Sequence, residues 1–471
     1  MTRATSGSPA AHTEAVALHF DPLSRQIRRS PHAYYRRLVD PPVQPVHGHP
    51  NFWTVAGHSA VTEVLRDPYT YDGQPFPNHD MPIMSAMRPE PHKRVRSAIQ
   101  GMFTRRALDQ LADFVSEQSQ RRTAELVRRG GGDLMALWAN PIPLSVIATI
   151  FGFPTSEEDL ARLHRYGDAA VRLVIPYGGP GLPVPTGPVA RLRQLRALAG
   201  AAPAAARLAH RLPRYDRSQL GRAPNPLTER PGYPRTGLGT HPQLARAIVD
   251  FNLEVLEIFL ERLQNPGTAV VDALAAPYRR GDLSIVEILT SALQILVAGY
   301  ETTASTLASA VHRIAADPVL LTGIRDDEEF LNAFVEETLR LDAPLQRTLR
   351  RTTAPVVLAG TALPANAQLI VMLGAANVDP MRYPAAETFD TDRPDPHRHL
   401  AFGTGIHTCI GAPLARMETR IALRTFADQV TRVDLQSDDP PIRLDDKDIG
   451  MWGFNRLPVR VSPLRDPRRP S

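Results

Sequence analysis

The segment 284–316 predicts one very long helix, and a helix of this length needs a large domain around it. Ser284 and Glu287 form a capping-box pattern at its start, and Asp317-Pro318 ends it. At about 1.5 Å per residue the helix would span roughly 50 Å. The chain has 471 residues, which fits one large domain, although two or three average domains would fit as well.

The middle of this helix contains residues that a helix ordinarily avoids. The run Ala298-Gly299-Tyr300-Glu301-Thr302-Thr303 follows the apolar residues Ile295, Leu296 and Val297, yet Gly and Thr are poor helix formers. A Thr302 hydroxyl can bond the carbonyl of Ala298 one turn back and bend the helix. Conflicts of this kind cluster at functional sites, so we expect Glu301 and Thr302 to be functional rather than an ordinary solvent-facing pair.

The chain has a single cysteine, Cys409. One thiol excludes an internal disulfide, a cysteine-based zinc site and an iron–sulfur cluster, and it is typical of a reducing compartment. Cys409 ends a glycine-containing stretch directly before an amphipathic helix. Backbone N–H groups and the helix dipole there should favour a thiolate. A lone cysteine is more often a small buried apolar residue, but the glycine spacing favours a ligand.

The stretch FGTGIHTCIGAPLAR, residues 402–416, resembles the cysteine-loop signature of the cytochrome P450 family at every defining position. The resemblance extends from about Pro31 to Val461 and is interrupted at 176–243. It implies a mainly α fold with a small β region, haem b as cofactor and Cys409 as the axial ligand of the haem iron. It also assigns four residues to the surroundings of the haem: Ala298, Phe402, Gly403 and Gly411.

The same resemblance implies roles for residues outside the cysteine loop. Glu301 and Thr302 would deliver protons for dioxygen activation. Charged and imidazole groups would bind the haem propionates, and a buried charge network would hold the haem-binding core. The propionate candidates are His92, Arg96, Arg350 and His407, with Arg351 as the competitor of Arg350. The network members are Glu337, Arg340 and Arg393.

The net charge of +5 arises from one segment of the chain. Residues 176–243 contain ten arginines and two acids, a net +8, so the rest of the chain carries 5 − 8 = −3. A general nucleic-acid footprint is therefore not supported. This segment is rich in Pro and Gly, and we interpret it as an insertion, hypothetically an enlarged lid. Residues 1–20 and 465–471 are expected to be tails of a catalytic domain spanning 21–464.

Further elements follow from local patterns. Helices are expected at 108–127, 144–151, 244–263, 327–341 and from near Cys409 to about Val430, and strands at 52–55, in VVLAG and in QLIVML. No run of about 18 apolar residues was identified, so we expect no membrane span and a cytoplasmic protein.

The implied activity is insertion of one oxygen atom from dioxygen into a lipophilic small molecule, by hydroxylation or epoxidation, in secondary metabolism. No flavin or NAD fingerprint occurs, so electrons should come from a separate ferredoxin and its reductase, with Arg105 and Arg106 as candidate docking residues. A peroxide-using enzyme, a haem-thiolate enzyme for C–C coupling or rearrangement, and a non-catalytic haem sensor remain alternatives. Apolar stretches at 72–87, 295–301, 345–349 and 451–454 would face the substrate, with His79 and Asp80 as polar exceptions.

Overall fold

A computed structural model describes residues 31–74, 83–174, 242–267, 270–444 and 450–464, with three isolated positions at 203, 206 and 210. In the described residues, helices are the main elements. They are α1 His32–Leu38, α2 His58–Arg66, α3 Pro89–Ile99, α4 Arg105–Arg128, α5 Pro141–Phe151, α6 Glu157–Val174, α7 Pro242–Gln264, α8 Ala275–Arg280, α9 Ile285–Ala316, α10 Leu320–Asp326, α11 Glu328–Leu341, α12 Leu373–Ala376 and α13 Ala412–Ala427.

The strands are short and form four small sheets in the described residues. The strands are β1 Val43–Pro45, β2 Phe52–Val55, β3 Tyr71–Asp72, β4 Gly131–Asp133, β5 Thr348–Thr352, β6 Val356–Leu358, β7 Thr361–Leu363, β8 Gln368–Val371, β9 Val430–Leu435, β10 Ile442–Arg443, β11 Phe454–Arg456 and β12 Pro458–Pro463. The largest sheet has the order β1-β2-β8-β5-β3, in which β2 and β8 are parallel. The strands expected in 52–55, VVLAG and QLIVML are therefore present.

The long helix α9 runs through the centre of the molecule, with the predicted ends. Ser284 Oγ accepts from the Glu287 amide at 3.2 Å, and Glu287 Oε2 accepts from the Ser284 amide at 2.9 Å, so both halves of the capping box form. Arg94 of α3 also bonds the Glu287 carboxylate, and its Nη1 donates to the Asp282 carbonyl at 2.7 Å. The first turn of α9 is thereby fixed to α3.

Among the described residues, helix α9 is long and apolar enough to cross a bilayer. Polar residues interrupt its apolar character, so the sequence did not predict a membrane span there. Helices α5, α6, α7, α11 and α13 all pack against α9, and Ile288, Leu296, Leu307 and Val311 are buried. This is the environment of a central core helix.

Two differences from the expected element bounds have a local cause. The last helix begins at Ala412 rather than at Cys409, because the Cys409 amide donates to the Phe402 carbonyl at 2.9 Å and is used by the loop. It ends at Ala427 because Val430 already pairs with Pro463 in the sheet of β9 and β12.

Helices α6 and α7 pack against each other and against α9. The segment 176–243 joins these two helices, and apart from positions 203, 206, 210, 242 and 243 it lies outside the described part of the chain. The tail predictions for 1–20 and 465–471 also lie outside it. The lid hypothesis and the domain bounds therefore stay predictions.

Candidate active site

The middle of α9 presents one face that other helices leave open. Ala298 is exposed and Thr302 is partly exposed, although most of their neighbours are buried. Thr302 Oγ1 donates to the Ala298 carbonyl at 2.6 Å, which is the bond that the sequence predicts. Gly299 serves packing, because a Cβ there would overlap Ile147 of α5. The open face therefore consists of a small side chain and a hydroxyl one turn apart.

Glu301 lies beside this face and is 9% exposed. The Tyr300 hydroxyl donates to Glu301 Oε1 at 3.2 Å. Tyr300 is completely buried, and a Cβ on Gly167 of α6 would lie only 2.6 Å from Tyr300 Cε1. Sequence analysis missed the contribution of Tyr300, since its partner Gly167 is 133 positions away. The Tyr300 hydroxyl holds the Glu301 carboxylate in place from the side of α6.

The loop before α13 is a tight turn closed by its own backbone. The Gly403 amide donates to the Leu400 carbonyl at 2.9 Å, and the Cys409 amide donates to Phe402. Gly405 has φ +75°, and a Cβ there would overlap the Leu65 carbonyl of α2. No other residue type fits both the positive φ and this approach of two backbones. The loop leaves Cys409 as an exposed free thiol at the start of a helix that packs against α9.

The pKa of the Cys409 thiol is raised, whereas the sequence predicts a pKa lowered by the helix start. Although Cys409 is accessible to solvent, the protein atoms packed around its sulfur raise the thiol pKa by desolvation, while the amides of Gly411 and Ala412 and the charges of Arg96 and Arg416 lower it. The helix start therefore acts in the expected direction, but desolvation outweighs it. A bound metal ion overcomes such a penalty, because a coordinating thiol is deprotonated outright.

Four cationic or imidazole groups gather near the cysteine loop. The rings of His92 and His407 lie 4.4 Å apart, and Arg96 Nη1 donates to the Thr408 carbonyl at 2.8 Å. Burial, together with the charges of Arg350, His92 and Arg96, lowers the pKa of His407 to about 3. Burial and Arg96 lower the pKa of His92 to about 4. The structure therefore brings the four predicted propionate candidates into one electrostatic neighbourhood.

The choice between Arg350 and Arg351 follows from their partners. Arg351 Nη2 donates to Asp72 Oδ2 at 2.8 Å, and its Nη1 donates to Asn366 at 2.7 Å. Arg350 bonds only the Leu349 carbonyl and, weakly, the Thr348 hydroxyl. Burial lowers the pKa of Arg350 to about 10, which Asp72 partly offsets. Arg351 is committed to the protein, and Arg350 is the available cation.

Glu337, Arg340 and Arg393 meet in one buried network. The Arg340 guanidinium forms two bonds to the Glu337 carboxylate at 2.6 and 2.7 Å, and Arg393 Nε donates to Glu337 Oε1 at 3.3 Å. Arg340 Nη1 also donates to the carbonyls of Asn377 and Ala386. The network therefore ties α11 to the stretch that leads into the cysteine loop.

Two of the expected substrate-facing stretches pair with each other. The Trp452 amide donates to the Pro344 carbonyl at 2.7 Å, and the Gln346 amide donates to the Gly450 carbonyl at 2.8 Å. The stretch 72–87 is described only in part, and His79 and Asp80 lie outside the described residues.

These residues fit a haem group on chemical grounds. Within the described ranges, His92, Arg96, Arg350 and His407 form no ion pair with a carboxylate, and His407 Nδ1 is buried without a hydrogen-bond partner. Buried cations ordinarily have an anionic partner, and two propionates would supply it. The exposed thiol of Cys409 is a suitable axial ligand for iron. No cluster of three or more metal-binding His, Cys, Asp or Glu side chains exists in the described residues.

Comparison with known proteins agrees with this chemistry. The family model Cytochrome P450 matches residues 241–452. The protein designated cytochrome P450 140 in Mycobacterium tuberculosis is 30% identical over 390 residues, which are 82% of this chain and 74% of that protein. The beta-dihydromenaquinone-9 omega-hydroxylase of the same organism is 26% identical over 448 residues, 94% of this chain and 78% of that protein.

Solved structures show the same fold. CYP109E1 from Bacillus megaterium in complex with testosterone superposes with a TM-score of 0.72 at 22% identity, covering 93% of this chain and 99% of the other. The P450 OxyD, involved in the biosynthesis of vancomycin-type antibiotics, has a TM-score of 0.70 at 25% identity, covering 94% and 100%. With a relative 30% identical over most of its length, this chain belongs to the cytochrome P450 family, whose cofactor is haem b, and is a cytochrome P450 monooxygenase.

Proposed function

We propose that Cys409 binds the haem iron and that the enzyme inserts one oxygen atom from dioxygen into a C–H or C=C bond of a lipophilic small molecule. The observation that carries this proposal is the position of the only thiol of the chain. It is exposed at the start of α13, which packs against α9, where Ala298 and Thr302 leave one face open. Haem, when bound, supplies the activation of dioxygen.

The chain would bind haem through two separate sets of residues. Cys409 would ligate the iron, while Phe402, Gly403 and Gly411 shape the loop around it. The propionates would be bound by the four groups that lack a carboxylate partner, namely His92, Arg96, Arg350 and His407. The small Ala298 would leave room for the flat cofactor beside α9. Glu337, Arg340 and Arg393 would hold the backbone that carries the loop.

Glu301 and Thr302 would manage protons. The Thr302 hydroxyl donates to the Ala298 carbonyl, so its oxygen remains available to accept a bond from water. The Glu301 carboxyl, fixed by the Tyr300 hydroxyl at 3.2 Å, would donate a proton to such a water. Thr302 would hold this water in place while the water donates its own proton at the open face of the helix. General acid–base groups of this kind contribute about 10²- to 10⁴-fold to a rate.

Substrate class, partners and compartment are supported by analogy. The similar proteins include a beta-dihydromenaquinone-9 omega-hydroxylase and a P450 involved in antibiotic biosynthesis, which supports hydroxylation in secondary metabolism. A separate ferredoxin and its reductase would supply electrons in the cytoplasm. Arg105 and Arg106 are exposed at the start of α4. They lie two and three residues after Phe103, whose ring approaches Gly411 in the cysteine loop, so a ferredoxin bound there would lie near Cys409.

The visible spectrum of the carbon monoxide complex tests the central assignment. Reduced wild type should show the strongly red-shifted Soret band of thiolate ligation. Cys409→Ser should lose it, and no second thiol in the chain can replace the first. An unshifted band in haem-loaded wild type would refute the ligand assignment.

Product formation tests the reaction itself. A substrate screen by spectral shift of the wild type would select a compound, and NADH-driven turnover with a ferredoxin and its reductase should then yield a product that contains one atom from ¹⁸O-labelled dioxygen. Product without the label would indicate a different reaction of the same haem-thiolate centre.

A further inference from the structure

A second buried carboxylate lies next to Glu337 and serves a different set of partners. Glu336 is 2% exposed. Its Oε1 accepts from Arg416 Nε at 2.6 Å, and its Oε2 accepts from Arg416 Nη2 at 2.7 Å. Such a bidentate pair fixes the plane as well as the position of the guanidinium. Helix α11 therefore holds Arg416 of α13 in one orientation.

Two imidazoles also contact the Glu336 carboxylate. His399 Nε2 lies 3.0 Å from Glu336 Oε2, and His399 Nδ1 accepts from the Ala401 amide at 3.2 Å. Since Nδ1 accepts, the proton of a neutral imidazole is on Nε2, which donates to Glu336. His397 Nδ1 lies 3.1 Å from the same carboxylate oxygen, on a side chain that is 66% exposed. Within this cluster, the buried Glu336 carboxylate and the Arg416 guanidinium carry opposite charges.

Arg416 connects this pair to the cysteine. Its guanidinium carbon lies 4.5 Å from the centre of the Phe402 ring, in cation–π contact. The carbonyl of Phe402 accepts the Cys409 amide at 2.9 Å. Arg416 thus contacts the residue whose carbonyl holds the Cys409 amide, and its charge lies beside the cysteine loop.

A second ion pair joins the same two helices but does not reach the loop. Arg424 Nη2 lies 2.7 Å from Glu328 Oε2, with the Glu328 side chain 66% exposed. Arg424 is eight residues beyond Arg416, about 12 Å along the helix. The Arg424–Glu328 pair therefore attaches α11 to α13 without Glu336. The Arg416–Glu336 pair is bidentate and also contacts Phe402, and attachment of the two helices alone does not require these features.

We propose that Glu336 and Arg416 are positioning residues that set the electrostatic potential at the Cys409 sulfur, and thereby the reduction potential of the iron. The inference rests on the proposed ligation of iron by Cys409. The positive Arg416 favours the added electron of the reduced state, and the negative Glu336 opposes it. The two charges have opposite signs, so removal of either one should shift the potential, and the two shifts should have opposite directions.

The test measures the reduction potential of haem-loaded variants in dye-equilibrated titrations. Glu336→Gln leaves Arg416 uncompensated and should raise the potential. Arg416→Gln leaves Glu336 uncompensated and should lower it. Each change should be at least about threefold in the reduction equilibrium constant, since the Glu336 carboxylate is buried and the Arg416 side chain is only 23% exposed. The double variant should return close to the wild-type potential, and Arg416→Lys, which keeps the charge, should recover most of it.

Glu328→Gln is the matched control and should leave the potential unchanged. Loosening of the loop would move both single variants in the same direction, and that result would overturn the proposal, as would unchanged potentials in both. If one single variant fails to load haem, the direction of the shift in reduction potential in the other single variant still tests the proposal. A red-shifted carbon monoxide band in the variants shows that Cys409 still ligates, so failure here is distinguishable from failure of the ligand assignment.

Discussion

Thr302 and Ala298 share a 2.6 Å hydrogen bond, hydroxyl to carbonyl, at the one open face of the central helix. Thr306 makes the same type of bond to the Thr302 carbonyl at 3.0 Å, but Thr306 is buried. The two threonines therefore have the same backbone role and differ in what their hydroxyls can reach. This difference separates a helix-bending role from a proton-delivery role.

Replacing Glu301 and Thr302 together by Ala should reduce NADH-coupled product formation by about 100-fold or more, because both proton-handling groups are lost. Thr302→Ala alone should keep NADH oxidation while product falls and peroxide rises. Thr306→Ala is the control and should keep the ratio of product to NADH consumed. An unchanged product yield in the double variant would contradict the proton role.

Replacement by Met should mainly weaken haem binding at Arg350 and mainly lower stability at Arg351. Arg350→Met should weaken haem binding by about tenfold or more, since charge-assisted bonds contribute about 1.5–3 kcal/mol. It should not lower the stability of the haem-free protein, because Arg350 has no carboxylate partner in the described residues. Arg351→Met should lower the free energy of unfolding by about 2 kcal/mol, because Asp72 loses a buried charge-assisted bond, although Arg88 Nη2 still contacts it at 3.2 Å. Haem titration and urea denaturation measure the two effects, and equal effects would show that the division between the two arginines is wrong.

Gly167→Ala should destabilise the protein by about 1–3 kcal/mol, although Ala is the better helix former by about 1 kcal/mol. The added Cβ would lie 2.6 Å from Tyr300 Cε1. A smaller side chain at 300 should relieve the clash, so the cost of Gly167→Ala should shrink in a Tyr300→Leu background. Urea denaturation of the four proteins completes the cycle, and an equal cost in both backgrounds would mean that the two residues do not interact.

The stability contributed by Glu336 should depend on pH. Burial alone would raise its pKa, but the bonds from Arg416 and His399 outweigh burial and lower the pKa from 4.5 to about 2. A carboxyl with a depressed folded-state pKa stabilises the fold above its unfolded pKa and loses that contribution as pH falls through the folded pKa. The difference in unfolding free energy between wild type and Glu336→Gln should be about 3 kcal/mol at pH 6.

This difference should shrink steadily between pH 4.5 and pH 2 in denaturation series. Glu328→Gln provides the comparison, because the exposed Glu328 should contribute little at any pH. A Glu336→Gln difference that does not change with pH would show that the carboxylate is not held in its charged form by its partners.

What the sequence predicts depends on how far apart the interacting residues lie. The ends of α9 are determined by Ser284, Glu287 and Asp317, which are local signals, and the structure reproduces them. Glu337 and Arg340 lie one turn apart and can be paired from the sequence alone. Glu336 and Arg416 are 80 positions apart, and only folding brings them together.

Neighbouring residues of the same type are equally hard to separate in advance. Arg350 and Arg351 are adjacent on a strand and point to opposite faces, so the residues that surround each one decide its role. Asp72, which takes Arg351 as its partner, is 279 positions away. The pKa of the Cys409 thiol likewise depends on desolvation by segments that are distant in sequence. The position of Cys409 before a helix therefore does not determine this pKa.

Glu287 does two things at once, since it completes the cap of α9 and binds Arg94 of α3, the helix that also carries His92 and Arg96. Occupation of the haem site would restrain α3 through these last two residues. That restraint passes through Arg94 into the first turn of α9. Amide protons around 285–290 should therefore exchange with deuterium more slowly in the haem-loaded protein than in the haem-free one, at a helix end far along the chain from Cys409.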